Sequence, residues 1–110
     1  MTIVLTSNTV GAKIYYTKDT TNPDLTDLNA VDKAYEEWYA AWSAAAENNR
    51  GTDGKGIRWY LDSAGNRKTE PSTIPYDPAE GITMPSTVTT FLTLRAVAVV
   101  ADGSRQPATW

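Results

Sequence analysis

Residues 29–48 read Asn-Ala-Val-Asp-Lys-Ala-Tyr-Glu-Glu-Trp-Tyr-Ala-Ala-Trp-Ser-Ala-Ala-Ala-Glu-Asn, with neither glycine nor proline. Val31, Ala34, Tyr35, Trp38, Ala41, Trp42 and Ala45 recur at the i, i+3, i+4, i+7 spacing of one helix face. Alanine adds helix propensity. Asp27 or Asn29 supplies an N-cap, and Asn48-Asn49-Arg50-Gly51 a stop. The spacing predicts about five turns of amphipathic helix over 29–48, with Asp32, Lys33, Glu36 and Glu37 mainly on the opposite side. A chain containing this segment must find a surface that takes two tryptophans and a tyrosine, because leaving them in water creates a large aromatic patch. The helix is therefore expected on the outer side of a sheet or across one end of a sheet stack.

The flanking sequence carries a different period. Residues 2–6 and 13–17 read as strands, the second with Ile14 and Tyr16 on one face and Lys13, Tyr15 and Thr17 on the other. After a glycine-rich stretch over 51–56, expected as a flexible loop, residues 57–61 alternate with Ile57, Trp59 and Leu61 on one face. Asp62-Ser63-Ala64-Gly65-Asn66 reads as a hairpin turn, returning through 67–69. Pro71, Pro75, Pro78 and Pro85 punctuate an extended, edge-like stretch containing a short strand at 81–84. The strongest strand is 90–100, where Leu92, Leu94, Ala96, Ala98 and Val100 form an unbroken apolar face. Asp102-Gly103 is a turn, and residues 106–110 begin a final strand.

Composition excludes several functions. The 110 residues contain no cysteine and no histidine. That removes Ser-His-Asp and Cys-His catalysis, the common zinc sites and thiol redox chemistry. Ten basic residues against thirteen acidic give a net charge of −3, which argues against wholesale phosphate binding. No apolar run approaches the length of a membrane span, and residues 1–6 lack the basic start and apolar run of a signal peptide. No cofactor, metal, nucleic-acid partner or membrane insertion is expected.

Several separated segments resemble one family. Gly11-Ala12-Lys13-Ile14-Tyr15-Tyr16-Thr17-Lys18-Asp19 is similar to the GA-x-IYYT-x-D opening of the chitobiase/β-hexosaminidase C-terminal domain. Asn22-Pro23-Asp24 stands where that family steps through a proline after its turn, and Tyr76 with Gly81-Ile82-Thr83 resembles its Y…G-I-T segment. Thr89-Thr90-Phe91-Leu92, then Leu94-Arg95-Ala96-Val97-Ala98-Val99 and Asp102-Gly103-Ser104, resemble its last strand and glycine turn. The likeness covers about half the chain, in order. Three features depart from it, one being that the family's first strand is expected to be truncated or missing at Met1. Thr20 replaces the family's glycine after Asp19, and because threonine resists positive φ that turn is expected to take another conformation. Residues 25–73, holding the helix and hairpin, have no counterpart.

The resemblance implies a mainly β fold, an Ig/fibronectin-III-like β-sandwich. On this chain it would be a single domain over 1–110, excised from a larger protein, with an insertion at 25–73 carrying the helix (29–48) and an extra hairpin (57–69). It further implies a non-catalytic accessory or structural module of a bacterial secreted or cell-surface protein, whose partners are neighbouring domains of the parent chain.

The remaining chemistry lies in side chains. Exposed aromatics flanked by polar groups would make a carbohydrate platform, and the inserted hairpin offers Tyr60 and Trp59 with Arg58, Asp62 and Asn66, joined by Tyr76. Trp59 shares the face of Ile57 and Leu61 and reads as core. Tyr60, on the opposite face, is the better ligand residue, with a glycan as the possible partner. The other clusters read as structural. Glu36, Glu37, Asp62, Asp77 and Glu80 lack the paired arrangement that glycoside hydrolysis needs. Asp19, Asn22, Asp24 and Asp27 lack EF-hand spacing. Lys55, Arg58, Arg67 and Lys68 are too few for a nucleic-acid surface on an acidic chain.

Overall fold

Strand β2 (Lys13–Thr17) organises the larger of the sheets. The computed structural model describes residues 2–7, 11–83, 94–99 and 105–107. Within these, β2 lies between β6 (Ile74–Pro75) and β8 (Arg95–Val99), and β9 (Arg105–Pro107) extends the sheet beyond β8. Every pairing is antiparallel, with Lys13 opposite Val99, Tyr15 opposite Val97 and Thr17 opposite Arg95. This register puts Ile14, Tyr16, Ile74, Ala96 and Ala98 on one face, where all are buried. The two faces read in 13–17 and the apolar even positions 94–98 of the last strand are thus observed, but the opposite face of β2 is covered too, with Tyr15 and Thr17 fully buried. Positions 90–93 and 100, the Asp102–Gly103 turn and residues 108–110 lie outside the described residues.

A two-stranded pair, β1 (Thr2–Ile3) with β7 (Ile82–Thr83), brings Leu5 and Ile82 onto that face. Tyr76 completes the cluster. Its ring meets Tyr16 edge to face, with centroids 6.2 Å apart, and its hydroxyl accepts the Leu5 backbone N–H at 3.0 Å. Burying each large apolar side chain here stabilises the fold by about 1.5–3 kcal/mol.

Residues 25–73, read as an insertion from the sequence, carry the helix and a second sheet. Helix α1 (Leu28–Ala44) is capped by Asp27, whose side chain accepts from the Ala30 N–H at 3.1 Å. It ends at Ala44 rather than 48. Arg50 supplies the reason: its Nη1 donates to the carbonyls of Trp42 and Ser43, and its guanidinium lies over the Trp42 ring at 4.6 Å. Both carbonyls belong to the last turn, where acceptors run short of helical donors; that of Trp42 also takes the Ala45 N–H at 3.3 Å. A single 3₁₀ turn, Glu47–Asn49, then leads into a sheet ordered β3 (Arg50–Thr52), β4 (Arg58–Leu61), β5 (Arg67–Thr69). Among the described residues the chain is therefore mixed α/β, with one α-helix, a 3₁₀ turn and small antiparallel sheets.

Two expectations are corrected. The stretch 51–56 is not merely a loop, since its start pairs with β4. Asp53 makes this possible: its backbone N–H donates to the Ile57 carbonyl, Gly56 N–H returns to the Asp53 carbonyl, and its Oδ1 accepts from Lys55 and Ile57. Asp62 builds the next hairpin in the same way, with Gly65 at φ +82°. The second correction concerns Thr20, which adopts φ +71° despite its branched side chain. The turn is held around it: Asp19 accepts from the Thr21 backbone and hydroxyl through Oδ1 and from Ser72 through Oδ2.

The helix does not spread its aromatic stripe over the four-stranded sheet. It lies against β6, that sheet's edge, and against β4 of the insertion. Asp32, expected on the outer side, receives Lys13 Nζ at 2.9 Å and the Tyr15 hydroxyl at 3.1 Å. Trp38 is buried, and its indole N–H donates to the Lys68 carbonyl at 3.2 Å. Among the described residues, no helix is long and apolar enough to cross a membrane.

Candidate functional site

Strand β4 faces Arg58 and Tyr60 toward the helix. Tyr60 packs on Trp38, with ring centroids 6.2 Å apart. The Arg58 guanidinium lies 5.2 Å from the Trp38 ring and 5.3 Å from that of Trp42. Arg58 also donates to the Tyr35 hydroxyl at 3.2 Å and twice to Glu70. Glu70 is buried and takes a second cation, Lys18, whose Nζ also donates to the Gly56 carbonyl at 2.9 Å. This Lys18–Glu70–Arg58 cluster joins the end of β2 to the insertion. Burial holds the Lys18 pKa below its ordinary value, against the pull of Glu70. Burial also opposes the charge of Arg58, but Glu70 and Tyr35 outweigh it and hold its pKa above the usual value.

A cleft of about 280 Å³ opens above this cluster, between α1, β4 and the 77–81 turn. Tyr35, Tyr39 and Trp42 wall it from the helix side. They are spaced so that each ring meets the next: Tyr35 to Tyr39 at 5.7 Å and Tyr39 to Trp42 at 5.9 Å. Arg58 lies within the lining, and Asp77 and Glu80, both exposed, line the opposite side. The Asp77 turn sets their positions: its Oδ1 accepts from Ala79, its carbonyl accepts from Glu80 and Gly81, and Gly81 takes φ +68°. Tyr39 reaches across to Glu80 Oε1 at 3.4 Å. Trp42 leaves a buried indole N–H with no hydrogen-bond partner among the described residues. A second cavity, of about 320 Å³, is lined by Lys18, Ile57, Thr69, Glu70, Pro71 and Ser72 among others and presents no aromatic ring.

The residues singled out in the sequence do not gather as one platform. Arg58 lines the cleft. Tyr60 is turned inward against Trp38, so it is not the free ligand residue expected. Trp59 is on the outer face and only half-buried, not core. Its indole sits against Gly51, and the Arg67 guanidinium covers it at 4.5 Å. The two faces of β4 are thus reversed relative to expectation, because the helix packs on the Arg58–Tyr60 side. Tyr76 belongs to the core beside Tyr16 and is removed from any surface platform. Asp62 and Asn66 form the hairpin turn, where the Asn66 N–H and carbonyl are both bonded to Asp62.

Compared with family models, with curated proteins and with solved structures, the chain matches none. The reading of the site therefore stands on its own geometry. Among the described residues no group of three or more acidic side chains is placed to hold a metal ion. Asp19, Asp24 and Asp27 instead accept hydrogen bonds in their own turns and cap.

Sequence reasoning missed Tyr39, Lys18 and Glu70. Tyr39 was legible, standing four residues after Tyr35 and three before Trp42. Lys18 and Glu70 carried no local signal, since a buried ion pair between distant residues depends on a fold that brings them together.

Proposed function

We propose that this chain is a non-catalytic interaction module of a bacterial secreted or cell-surface protein. It is built on an Ig/fibronectin-III-like sandwich of the chitobiase/β-hexosaminidase C-terminal kind, and its recognition site is the cleft between α1, β4 and the 77–81 turn. The observation that carries this reading is the cleft itself: four aromatic residues, Tyr16, Tyr35, Tyr39 and Trp42, line a concavity of about 280 Å³ with Lys18, Arg58 and the carboxylates of Asp77 and Glu80. Apolar and aromatic walls with a few directed polar groups are the usual make-up of a small-ligand site.

The sandwich reading draws support from the buried face shared by Ile14, Tyr16, Ala96 and Ala98 with Leu5 and Ile82 of the facing pair. It draws further support from Thr20, which holds φ +71° where the resembling family carries glycine. The compartment and the parent protein rest on the sequence resemblance.

Intrinsic tryptophan fluorescence of the whole chain, titrated with neutral oligosaccharides, acidic oligosaccharides and short peptides, tests the reading. Each ligand is recovered afterwards and weighed by mass spectrometry. A saturable change with ligand of unchanged mass is expected. Conversion of any ligand, or no saturable change with any class at millimolar concentration, would overturn it.

A further inference from the structure

We propose that the free edge of β5 (Arg67–Thr69) takes an acidic, extended segment of a partner protein as an added antiparallel strand. This surface is separate from the cleft and does not rest on its reading. Strand β5 is an edge of the sheet ordered β3, β4, β5, and all three of its residues are exposed. The ladder fixes which of its backbone groups are free. Asp62 N–H donates to the Asn66 carbonyl and Glu70 N–H to the Arg58 carbonyl, so 62/66 and 58/70 are bonded pairs. Bonded pairs alternate along an antiparallel ladder, which makes 60/68 the bonded pair between them. Arg67 and Thr69 therefore turn their N–H and C=O groups away from β4, and among the described residues no group takes them. The other edge of this sheet, β3, is half-buried, and Arg50 there is drawn to the end of α1. Edge β6 of the larger sheet lies against α1 and carries Pro75, which has no N–H to offer.

Charge selects the occupant. The chain as a whole is acidic, yet Arg67 and Lys68 stand side by side on this edge and make no ion pair among the described residues. The Arg67 guanidinium lies over Trp59 on the outer face, and stacking leaves the N–H donors at its rim free. Lys68, opposite Tyr60, lies on the other face. Asp62, which feels the Lys68 charge, spends its carboxylate on the Ala64 and Asn66 N–H groups. An added strand thus meets a cation on each face. Two copies paired edge to edge would bring both pairs of cations together, and such charges are a usual protection against self-pairing. The same charges favour a strand that carries glutamate or aspartate. The 62–66 turn and Pro71 bound the free edge, so the segment is short.

The test is a ¹H–¹⁵N titration of the 110-residue chain with three capped peptides: one of glutamate and valine, its lysine analogue, and the glutamate peptide with a central proline. The acidic peptide is expected to shift the Arg67 and Thr69 amides saturably at millimolar concentration and to slow their hydrogen exchange, leaving the Trp42 indole in place. The other two are expected to leave these amides unmoved. Thr69→Pro removes only an outward N–H, a change edge strands accept, and is expected to weaken binding about tenfold. Lys68→Glu keeps the carbonyl that Trp38 bonds and is expected to weaken it about fivefold. Both variants are expected to give folded spectra. Equal binding of the proline peptide would overturn strand addition, and equal binding of the lysine peptide would overturn the selection by charge. Shifts centred on the Trp42 indole, or full affinity in Thr69→Pro, would overturn the placement. Protection of Arg67 and Thr69 that grows with protein concentration alone would give the edge to a second copy and overturn the proposed partner, and silence from all three peptides would overturn the proposal.

Discussion

Arg58 meets Glu70 through two donors on one oxygen: Nε at 3.1 Å and Nη2 at 3.0 Å both reach Oε2. The other oxygen takes Lys18 Nζ and the Arg58 backbone N–H. One buried carboxylate thus ties the end of β2 to β4, and with it the four-stranded sheet to the insertion that walls the cleft. Glu70→Ala leaves two cations facing each other without their shared partner and is expected to cost about 3–5 kcal/mol. Lys18→Met leaves the Arg58–Glu70 pair intact and is expected to cost clearly less. Urea unfolding of both variants checks the order, and equal costs would contradict it.

Thr20 holds a left-handed backbone that strains a β-branched residue by about 1–2 kcal/mol. Glycine removes that strain but adds about 0.5–1 kcal/mol of unfolded-chain entropy. Thr20→Gly is therefore expected to stabilise the chain by about 0.5–1 kcal/mol. The Asp19–Thr21–Ser72 bonds do not involve the Thr20 side chain, so they survive the change. Chemical denaturation of the variant beside the parent chain reads the difference.

Much of this fold was legible in local pattern. The i, i+4 aromatics, the alternation in 13–17 and the apolar even positions from 94 onward each specify an element, but the alternation did not reveal that Tyr15 and Thr17, on the other face of β2, are buried as well. What pattern did not reveal was which surfaces meet. Trp59 was assigned to the core because it shares a face with Ile57 and Leu61, yet the helix settles on the other side, over Arg58 and Tyr60. That choice depends on Arg58, which a hydropathy pattern counts as outward-facing. Stacking on Trp38 and Trp42 while bonded to Glu70 makes it an inward residue. Asp53 was missed for a different reason: the Asp-x-x-Gly turn at 53–56 has the same form as that at 62–65, but two extra glycines made it read as a loop.

The reversal of β4 makes its two aromatic neighbours unequal. Trp38 is buried and hydrogen-bonded to the Lys68 carbonyl. Trp38→Ala is expected to cost about 3–5 kcal/mol. Trp59, half-buried on the outer face, is expected to cost less when changed to alanine. Thermal melts followed by circular dichroism compare the two, and a larger loss at Trp59 would contradict the assignment of faces.

Tyr16 gives an alkaline signature. Burial, reinforced by Glu70, raises its pKa well above the ordinary value of 10. Above that pH the unfolded chain releases this proton while the folded chain keeps it, so stability falls as pH rises. Lys18 contributes with the opposite sign, because its lowered pKa lets the folded chain release its proton first. Its contribution is common to both chains when Tyr16→Phe is compared with the parent. Urea unfolding between pH 8 and pH 11 is expected to show a shallower alkaline loss in the variant.

The reading of the cleft as the recognition site is checked by calorimetric titration of the parent chain, Glu80→Ala and Trp59→Ala with the oligosaccharide or peptide that changes the tryptophan fluorescence. Glu80 lines the cleft from an exposed turn, and Trp59 lies on the opposite face of β4 from Arg58, so neither change need disturb the core. The account predicts binding by the parent chain, weakening of about tenfold or more in Glu80→Ala, and no change in Trp59→Ala. Binding that survives Glu80→Ala and is lost in Trp59→Ala would contradict it.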